Sequence, residues 1–374
     1  MPLTLVNILL ISFGICFLIQ LIFLLFVNSG FAFRKKRSIV KSIGLPSISV
    51  IICAKNEEKF LENNLRYILE QDYPAFEVIV VNDCSNDGTQ EILEEMQKKH
   101  PNLRSLIINE GNKFKHGKKL ALTIGIKNAQ YEYLVFTDAD CRPAGKGWLK
   151  DLISAFDTDT EIVLGYGAYA RKGGLVNSLI RMDTFQIGLQ YMSLALAGMP
   201  YMGVGRNLAY KKSLFIKQKG FAPYSHIASG DDDLFINKAA SRLNTRIAAC
   251  PDCITISEPK GSFKEWVNQK RRHVSTAKYY KGSTLFILGT ITFSQYFFWL
   301  SFVALLFTPW WNIAVALFSV RLLLQTLIYG KAMRKLGESD LLLYSPVIEG
   351  LLLFGFYPGV AISNILFKEP KWKT

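Results

Sequence analysis

The sequence predicts an α/β domain, with a mostly parallel sheet covered by helices on both faces, and transmembrane helices at both ends of the chain. Two observations lead to this prediction. Short β-branched runs alternate with amphipathic, charged segments between about residues 47 and 170, and the longest apolar segments lie near the two ends of the 374-residue chain. Alternating strands and helices are typical of a parallel sheet, and an apolar run of about 20 residues can cross a bilayer as a helix.

The strands and helices of this domain follow one another in regular order. Hydrophobic periodicity predicts strands over 47–54, 76–83, 103–109 and 133–140, with helices over 57–71, 87–99 and 118–128 between them. Ligands of such sheets bind outside the carboxyl ends of the strands. Polar side chains at three of these ends are therefore predicted to converge on one crevice, namely Asn56, Glu57, Asp83, Asp138 and Asp140.

The first apolar segment, residues 3–27, holds no charge and is followed by the basic cluster Arg34-Lys35-Lys36-Arg37. A cleaved signal peptide would carry its basic residues before a shorter apolar core. Basic residues flank membrane helices on the cytoplasmic side. The segment is therefore predicted to anchor the chain and to leave the following domain in the cytoplasm.

The C-terminal third contains three more apolar stretches, 284–308, 311–330 and 341–367. Basic residues after the second stretch mark a return to the cytoplasm. Prolines, glycines and Glu349 interrupt the third stretch, which predicts either one kinked span or a re-entrant hairpin. The sequence thus predicts a multi-pass protein of the cell membrane.

The formal net charge of +14 suggests nucleic acid as one binding partner. However, the basic residues cluster beside the apolar segments, where anionic headgroups attract them, and no nucleic-acid-binding motif is present. A membrane surface and an anionic substrate explain the charge better. Cys250 and Cys253 form a lone CxxC, which we interpret as two reduced thiols beside a strand junction rather than a metal or redox site.

Three charged stretches add candidate ligand sites. Residues 111–122 form a basic loop that leads into a helix, which suits either an anion at the helix N-terminus or a solvated lysine face. Residues 231–233 are three consecutive aspartates that begin another helix, although N-capping needs only one. Residues 263–280 predict a basic interfacial helix, in which Arg271 and Arg272 also suit a diphosphate. Asp138 and Asp140 suit a divalent metal or a sugar hydroxyl, with a simple turn as the alternative.

Taken together, these motifs resemble the membrane-bound glycosyltransferases of family 2, which are inverting enzymes with a GT-A fold. The resemblance covers about residues 45–280. The motifs stand in the family's order: "SVIICAKNEE", "VVNDCSNDGT" with Asn82 in place of the first Asp, "HGKKLAL", "TDAD", "GVGRNLAYKK", the acid pair Asp231-Asp232, and "QKRRH". His273 replaces the tryptophan of many members, which favours transfer of one or a few sugars over synthesis of a long polymer.

For the donor, the resemblance implies that Asp83 contacts the uracil of a UDP-linked nucleotide-sugar, with Asn56 and Glu57 nearby. Lys118 is expected near the phosphates. It also implies a metal ion, since hard divalent ions prefer carboxylate and phosphate oxygens. The metal ligands are expected to be Asp138 and Asp140, with Mg²⁺ or Mn²⁺ bridging the diphosphate.

For the transfer step, the resemblance implies that Asp232 is the general base, with Asp231 as the next candidate. Gln269, Arg272 and His273 are expected on a surface helix over the mouth of the donor site. Arg272 shares the helix face of Gln269 and suits the leaving diphosphate. Arg271 lies one position off that face and is expected to meet lipid headgroups.

The implied function is transfer of a sugar from a nucleotide-sugar to a hydroxyl of a lipid-linked or polysaccharide acceptor at the cytoplasmic membrane face. Transfer to a polyprenyl phosphate and a catalytically silent membrane scaffold are the alternatives. No nucleic acid is expected as a partner. The expected parts are a transmembrane helix over 1–28, the GT-A domain over 45–260, an interfacial helix over 261–282 and transmembrane segments over 283–367.

Overall fold

The computed structural model describes residues 3–35, 44–109, 117–227 and 229–367. The strands are β1 Ile48–Ala54, β2 Phe76–Asp83, β3 Leu103–Ile108, β4 Tyr133–Asp138, β5 Cys141–Pro143, β6 Ile162–Leu164, β7 Gly167–Tyr169, β8 Leu208–Lys211, β9 Thr245–Ile247 and β10 Thr255–Ser257. The helices are α1 Leu3–Ile22, α2 Ser29–Ala32, α3 Glu58–Leu69, α4 Thr89–Lys99, α5 Lys118–Asn128, α6 Trp148–Ile153, α7 Leu175–Leu196, α8 Lys212–Lys217, α9 Asp233–Ala239, α10 Phe263–Val274, α11 Gly282–Leu305, α12 Trp311–Leu336, α13 Ser345–Leu351 and α14 Tyr357–Leu366. Two π-helical segments, Phe23–Asn28 and Leu352–Phe356, join α1 to α2 and α13 to α14.

The main sheet has the strand order β3-β2-β1-β4-β8-β6-β9. Strands β1 to β4 pair in parallel, and β8 runs antiparallel between β4 and β6. A smaller sheet has the order β5-β10-β7. The predicted α/β domain with a mostly parallel sheet is therefore confirmed.

The middle of the main sheet is covered on both faces, so all seven residues of β1 are buried. Helix α5 packs very closely on this strand through Gly125. A Cβ at Gly125 would lie 2.7 Å from Cγ2 of Ile51, so only glycine permits this approach. The contact fixes the start of α5, and with it Lys118, beside the carboxyl ends of the parallel strands.

Four helices are long and apolar enough to cross a membrane, namely Thr4–Ala32, Gly282–Leu305, Trp311–Leu336 and Ser345–Leu366. They agree with the four apolar segments predicted from the sequence. Of the basic cluster after the first segment, Lys36 and Arg37 lie outside the described residues. The prediction of apolar helices at both ends of the chain is confirmed.

The fourth of these helices runs without reversal from Ser345 to Leu366, so the hairpin alternative is wrong. Both of its flanks contact the α/β domain. Before it, Glu338 pairs with Arg181 of α7 at 2.6 Å, and near its end Asn364 accepts a hydrogen bond from Arg271 of α10 at 3.0 Å. A helix that crossed a bilayer would place its two flanks on opposite sides of about 30 Å of hydrocarbon. Contacts of both flanks with one domain therefore argue against a crossing.

Two local expectations differ from the structure. Helix α10, which was expected to reach Tyr280, ends at Val274, because the hydroxyls of Thr276 and Tyr280 donate to the Asp233 carboxylate and turn the chain away from the helix axis. Cys250 and Cys253 form a disulfide in the turn before β10, with their Cα atoms 5.2 Å apart. That separation lies within the range that a disulfide requires.

The contacts at both flanks of the last helix predict the side of the membrane on which the chain ends. A tag fused after Thr374 should be on the same side as a tag inserted beside the exposed Asp159 of the α/β domain. Protease protection in sealed and inverted membrane vesicles measures both tags in parallel. Protection of the two tags in opposite vesicle preparations would show that the last helix crosses the membrane.

Candidate active site

One large cavity lies at the carboxyl end of β4 and beside the segment that follows β1. Its volume is about 1050 Å³, which is at the upper end of the range for ligand pockets. Because the polar strand ends meet here, most of the predicted site residues line this one cavity. They are Glu57, Lys118, Asp138, Asp140, Asp231, Asp232, Gln269, Arg272 and His273.

Asp138 is the last residue of β4, and Asp140 follows it in the turn before β5. One oxygen of each carboxylate lies within 4.8 Å of the other and of the Cys141 sulfur. The Cys141 thiol is fully buried and pairs with Ser257 Oγ at 2.9 Å, so the two carboxylates are the groups that face the cavity. Burial and then the charge of Asp138 raise the pKa of Asp140, since two adjacent carboxylates disfavour ionisation.

The ammonium of Lys118 links two acidic groups across the cavity. Its Nζ lies 2.7 Å from Asp138 Oδ1 and 3.2 Å from Asp231 Oδ2. Burial opposes the ionisation of these groups, but their attraction outweighs it. The pKa of Asp138 is therefore held below its ordinary value, and the pKa of Lys118 is raised well above its own.

The three consecutive aspartates at the start of α9 have different surroundings. Asp232 Oδ2 accepts a hydrogen bond from the Gly205 N–H at 2.6 Å, and its Oδ1 accepts from the Asp233 N–H at 2.8 Å. Asp233 is buried and accepts from the Tyr280 hydroxyl at 2.7 Å. Asp233 thus holds the chain after α10 in place, whereas Asp231 and Asp232 are partly exposed to the cavity.

The carboxyl group of Asp232 is strongly affected by its surroundings. Burial, and then the charges of Asp231 and Asp233, raise the pKa of Asp232 to about 7. Lys118 and the Gly205 N–H lower it, but they do not outweigh these effects. A carboxylate with this pKa can accept a proton near neutral pH, which is the property of a general base.

Comparison with known proteins identifies the family of this domain. Residues 49–218 match the family described as Glycosyl transferase family 2. The chain contains a family 2 glycosyltransferase domain. The resemblance inferred from the motifs is therefore confirmed for this domain.

Individual relatives extend this comparison. Glycosyltransferase AglE of Haloferax volcanii is 30% identical over 195 residues, which cover 50% of this chain and 59% of the relative, so the chain spans about three fifths of its length. A dolichyl N-acetyl-α-D-glucosaminyl phosphate 3-β-D-2,3-diacetamido-2,3-dideoxy-β-D-glucuronosyltransferase of Methanococcus voltae is 24% identical over 348 residues, covering 86% of this chain and 99% of the relative. The mannosyltransferase PcManGT from Pyrobaculum calidifontis, solved with GDP-Man and Mn²⁺, aligns with a TM-score of 0.64 at 20% identity, covering 98% of this chain and 100% of that one. This likeness shows the fold, and the predicted GT-A fold is confirmed.

Asn56 and Asp83, which the family motifs single out for the donor, do not line the cavity as their neighbour Glu57 does. Asn56 has a positive φ of 55° and accepts a hydrogen bond from the Asn86 N–H at 2.8 Å, so its amide joins two loops at the sheet edge. Asp83 is fully buried at the end of β2. Their donor contacts stay predictions. Residues 111–116 of the predicted basic loop lie outside the described residues.

Helix α10 presents Gln269, Arg272 and His273 to the cavity. Gln269 Nε2 donates to the Tyr169 hydroxyl at 3.1 Å. The Arg272 guanidinium makes no side-chain hydrogen bond or ion pair with the residues that the structure describes, and its charge helps to lower the pKa of Asp138. Burial, and then the charges of Arg272 and Lys270, hold the pKa of His273 well below its ordinary value. This wall of the cavity therefore favours an anion.

Arg271 does not line the cavity, and the expectation that it meets lipid headgroups is wrong. Its side chain is only 6% exposed. The guanidinium donates to Asn364 Oδ1 at 3.0 Å and to the Phe367 carbonyl at 2.8 Å. Arg271 lies off the helix face of Gln269, as predicted, but the face on which it lies is covered by the end of the last helix.

Arg206 is a cavity residue that the motif analysis did not single out. Its guanidinium lies 4.3 Å from the ring centre of Tyr169 and 3.3 Å from Ser257 Oγ. Its charge acts on the pKa of both Asp138 and Asp140. The sequence feature that could have indicated Arg206 is its place inside the "GVGRNLAYKK" motif. It directly follows Gly205, whose N–H donates to Asp232.

The different surroundings of the two adjacent arginines predict different effects of lysine substitution. Arg272→Lys should lower turnover clearly with little change in melting temperature, because only a guanidinium can bind two phosphate oxygens in parallel. Arg271→Lys should lower the melting temperature by removing the bond to Asn364 or Phe367, while activity per folded molecule stays near that of the wild type. Initial rates and thermal unfolding of both purified variants measure this. Equal losses of activity per folded molecule in the two variants would contradict the placement of Arg272 in the site and of Arg271 outside it.

Proposed function

We propose that this chain is an inverting glycosyltransferase that moves a sugar from a nucleotide-sugar to a hydroxyl of a lipid-linked or polysaccharide acceptor, at the cytoplasmic face of the membrane. One observation carries the proposal. The pair Asp138-Asp140 and the acids Asp231-Asp232 line the same cavity, with Lys118 between them at 2.7 Å from Asp138 and 3.2 Å from Asp231. The two acidic groups come from different elements, the end of β4 and the start of α9. This supports separate roles for them, since direct displacement with inversion needs a base on the face opposite the leaving group.

The residues present fit a divalent metal ion. Asp138 and Asp140 offer hard carboxylate oxygens close to each other, and the likeness to a mannosyltransferase solved with Mn²⁺ supports such an ion. Mg²⁺ or Mn²⁺ bound here would neutralise charge on the leaving diphosphate. Lys118 and Arg272 supply further positive charge in the same cavity, and Arg206 extends it.

Asp232 is proposed as the general base, with Asp231 as the next candidate. A sugar hydroxyl is a poor nucleophile until a positioned carboxylate removes its proton in the transition state. The raised pKa of Asp232, about 7, supports this role. The Gly205 N–H, which donates to Asp232 at 2.6 Å, orients the carboxylate without removing its capacity to accept a proton.

From the motif resemblance, the donor is proposed to be a UDP-linked sugar. Asn56, Glu57 and Asp83 are then proposed to lie around its uracil ring. The mannosyltransferase of the same fold was solved with GDP-Man, so both nucleotides belong in the test. The acceptor is proposed to be lipid-linked or a glycan, which the dolichyl-linked substrate in the name of the Methanococcus relative supports. The presence of Asp138, Asp140, Asp231 and Asp232 in one cavity argues against a silent scaffold.

A panel of radiolabelled nucleotide-sugars, added to membranes that contain the chain, tests this function. Label should appear in a lipid or glycan fraction with one donor, and only when the wild-type chain is present. Sizing of the product then separates transfer of one or a few sugars from synthesis of a long polymer. Absence of transfer with every donor, in membranes where the chain is folded, would contradict the proposal.

Replacement of Asp140 by Asn tests the metal site. The change is nearly isosteric, so the fold should persist while turnover falls by about a hundredfold or more. Mn²⁺ binding to the purified chain, measured by electron paramagnetic resonance, should weaken in parallel. Chelation should reproduce the loss in the wild type, and added Mn²⁺ or Mg²⁺ should reverse it. Asp159→Asn, on the exposed surface, is the matched control; retained activity in Asp140→Asn would falsify the metal assignment.

Replacement of Asp232 by Asn tests the base. Donor binding should survive, while transfer falls by about a hundredfold or more. Because protonation removes the base, wild-type turnover should fall as the pH drops below about 7, and the variant should lose this dependence. Pre-steady-state rates over that pH range measure both effects. Collapse of donor affinity with an unchanged chemical step would make Asp232 a donor ligand and Asp231 the candidate base.

A further inference from the structure

The cavity does not end at the carboxylates. From Lys118 and Asp232 it continues between the apolar helices as far as Gln20 of α1, Arg321 of α12 and Glu349 of α13. Its volume of about 1050 Å³ is about three times the lower end of the range for ligand pockets, so a donor held at the carboxylates does not have to fill it. The residues that line the inner part therefore indicate which ligand could bind there.

We define the helix-side part of the cavity as the lining residues of the four apolar helices. Its charged side chains, among the described residues, are Arg321 and Glu349, which pair at 2.8 Å and are each 4% exposed. The cation is therefore neutralised within the protein. The other polar residues of the helix-side part carry neutral amides and hydroxyls, such as those of Thr292, Gln295, Tyr296, Gln325 and Tyr329.

Two of these amides have capacity to bind a ligand. Gln325 is 3% exposed, and its Oε1 accepts no hydrogen bond within the described part of the chain. Its Nε2 donates a hydrogen bond to Glu349, which fixes the orientation of the amide and leaves the amide oxygen without a donor. Gln295 lines the cavity and makes no side-chain hydrogen bond to a described residue. A buried amide oxygen without a donor is costly, and a ligand hydroxyl would satisfy it.

We infer that the helix-side part binds a sugar that the acceptor already carries. Sugar hydroxyls donate and accept hydrogen bonds, which matches the amides and hydroxyls of the lining. The rings of Tyr296 and Tyr329 add apolar surface for a sugar ring. The inference rests on the proposed function, because it takes the charged part of the cavity to hold the donor, and it names the acceptor as a sugar-bearing lipid or a glycan.

Two other occupants match this lining less well. A bare polyprenyl phosphate would need a free cation for its phosphate, and Arg321 is already paired with Glu349. A hydrocarbon chain would leave the Gln295 amide and the Gln325 amide oxygen without partners, at a desolvation cost that a hydroxylated ligand avoids. The neutral, hydrogen-bonding lining thus favours a saccharide over an anion or a lipid tail.

The size of the native product tests the inference. Membranes of the native host receive a panel of radiolabelled nucleotide-sugars, and the labelled saccharide is released from its lipid and sized. Label that depends on the wild-type chain, and is absent with Asp140→Asn, should occur in saccharides of two or more sugars. A single labelled sugar on polyprenyl phosphate would overturn the inference and uphold the glycosyltransferase. No transfer from any donor would overturn the glycosyltransferase proposal and the inference together.

A variant of the helix-side part of the cavity supplies a second test. With the full chain in lipid vesicles, Gln295→Met should raise the KM for the native acceptor by about tenfold, the effect of one lost hydrogen bond in a buried site. The KM for the donor and Mn²⁺ binding should not change, since Gln295 makes no bond that the fold needs. Gln218→Met, outside the cavity, is the matched control. Unchanged acceptor KM in both Gln295→Met and Thr292→Val would overturn the assignment of this surface.

Discussion

The arrangement of the site depends on the ammonium of Lys118, which lies between carboxylates from two separate elements of the fold. Carboxylates that face one cavity repel each other, and burial strengthens the repulsion because less water screens the charges. Lys118 offsets this repulsion by pairing with Asp138 and Asp231, one from each acidic group. Its position follows from the close packing of α5 on β1 at Gly125. A backbone contact in the core thus sets the spacing of the charged groups.

The last apolar helix also takes part in the site, because it packs against α10. Lys270 pairs with Asp183 of α7 at 2.7 Å, and the Tyr357 hydroxyl of the last helix donates to the same carboxylate at 2.8 Å. The ring of Trp266 stacks on that of Phe356 at 3.7 Å. These contacts fix the rotation of α10, which presents Gln269, Arg272 and His273 to the cavity. The last apolar helix therefore helps to orient this wall of the cavity.

The sequence allowed the sheet, its parallel strands and the acidic strand ends to be predicted, because periodicity and strand order are local signals. It did not allow the surroundings of Arg271 to be predicted, since they depend on the path of the last helix. Gly205 acts through its backbone N–H, which carries no mark in a sequence. The residue at which α10 ends could not be predicted for a similar reason. It depends on hydrogen bonds to the Asp233 carboxylate, which belongs to a segment distant in sequence.

The cavity combines two kinds of lining, and this difference separates two kinds of substrate. Its outer part carries carboxylates and the cations Lys118, Arg206 and Arg272, so it favours a phosphate-bearing ligand together with a metal ion. Its inner part, the helix-side part, carries no net charge because the charges of Arg321 and Glu349 cancel. An anion that entered the inner part would lose its hydration without gaining a free cation, whereas a sugar would exchange water for amides and hydroxyls. Specificity of this kind comes from rejection of the wrong partner as much as from attraction of the right one.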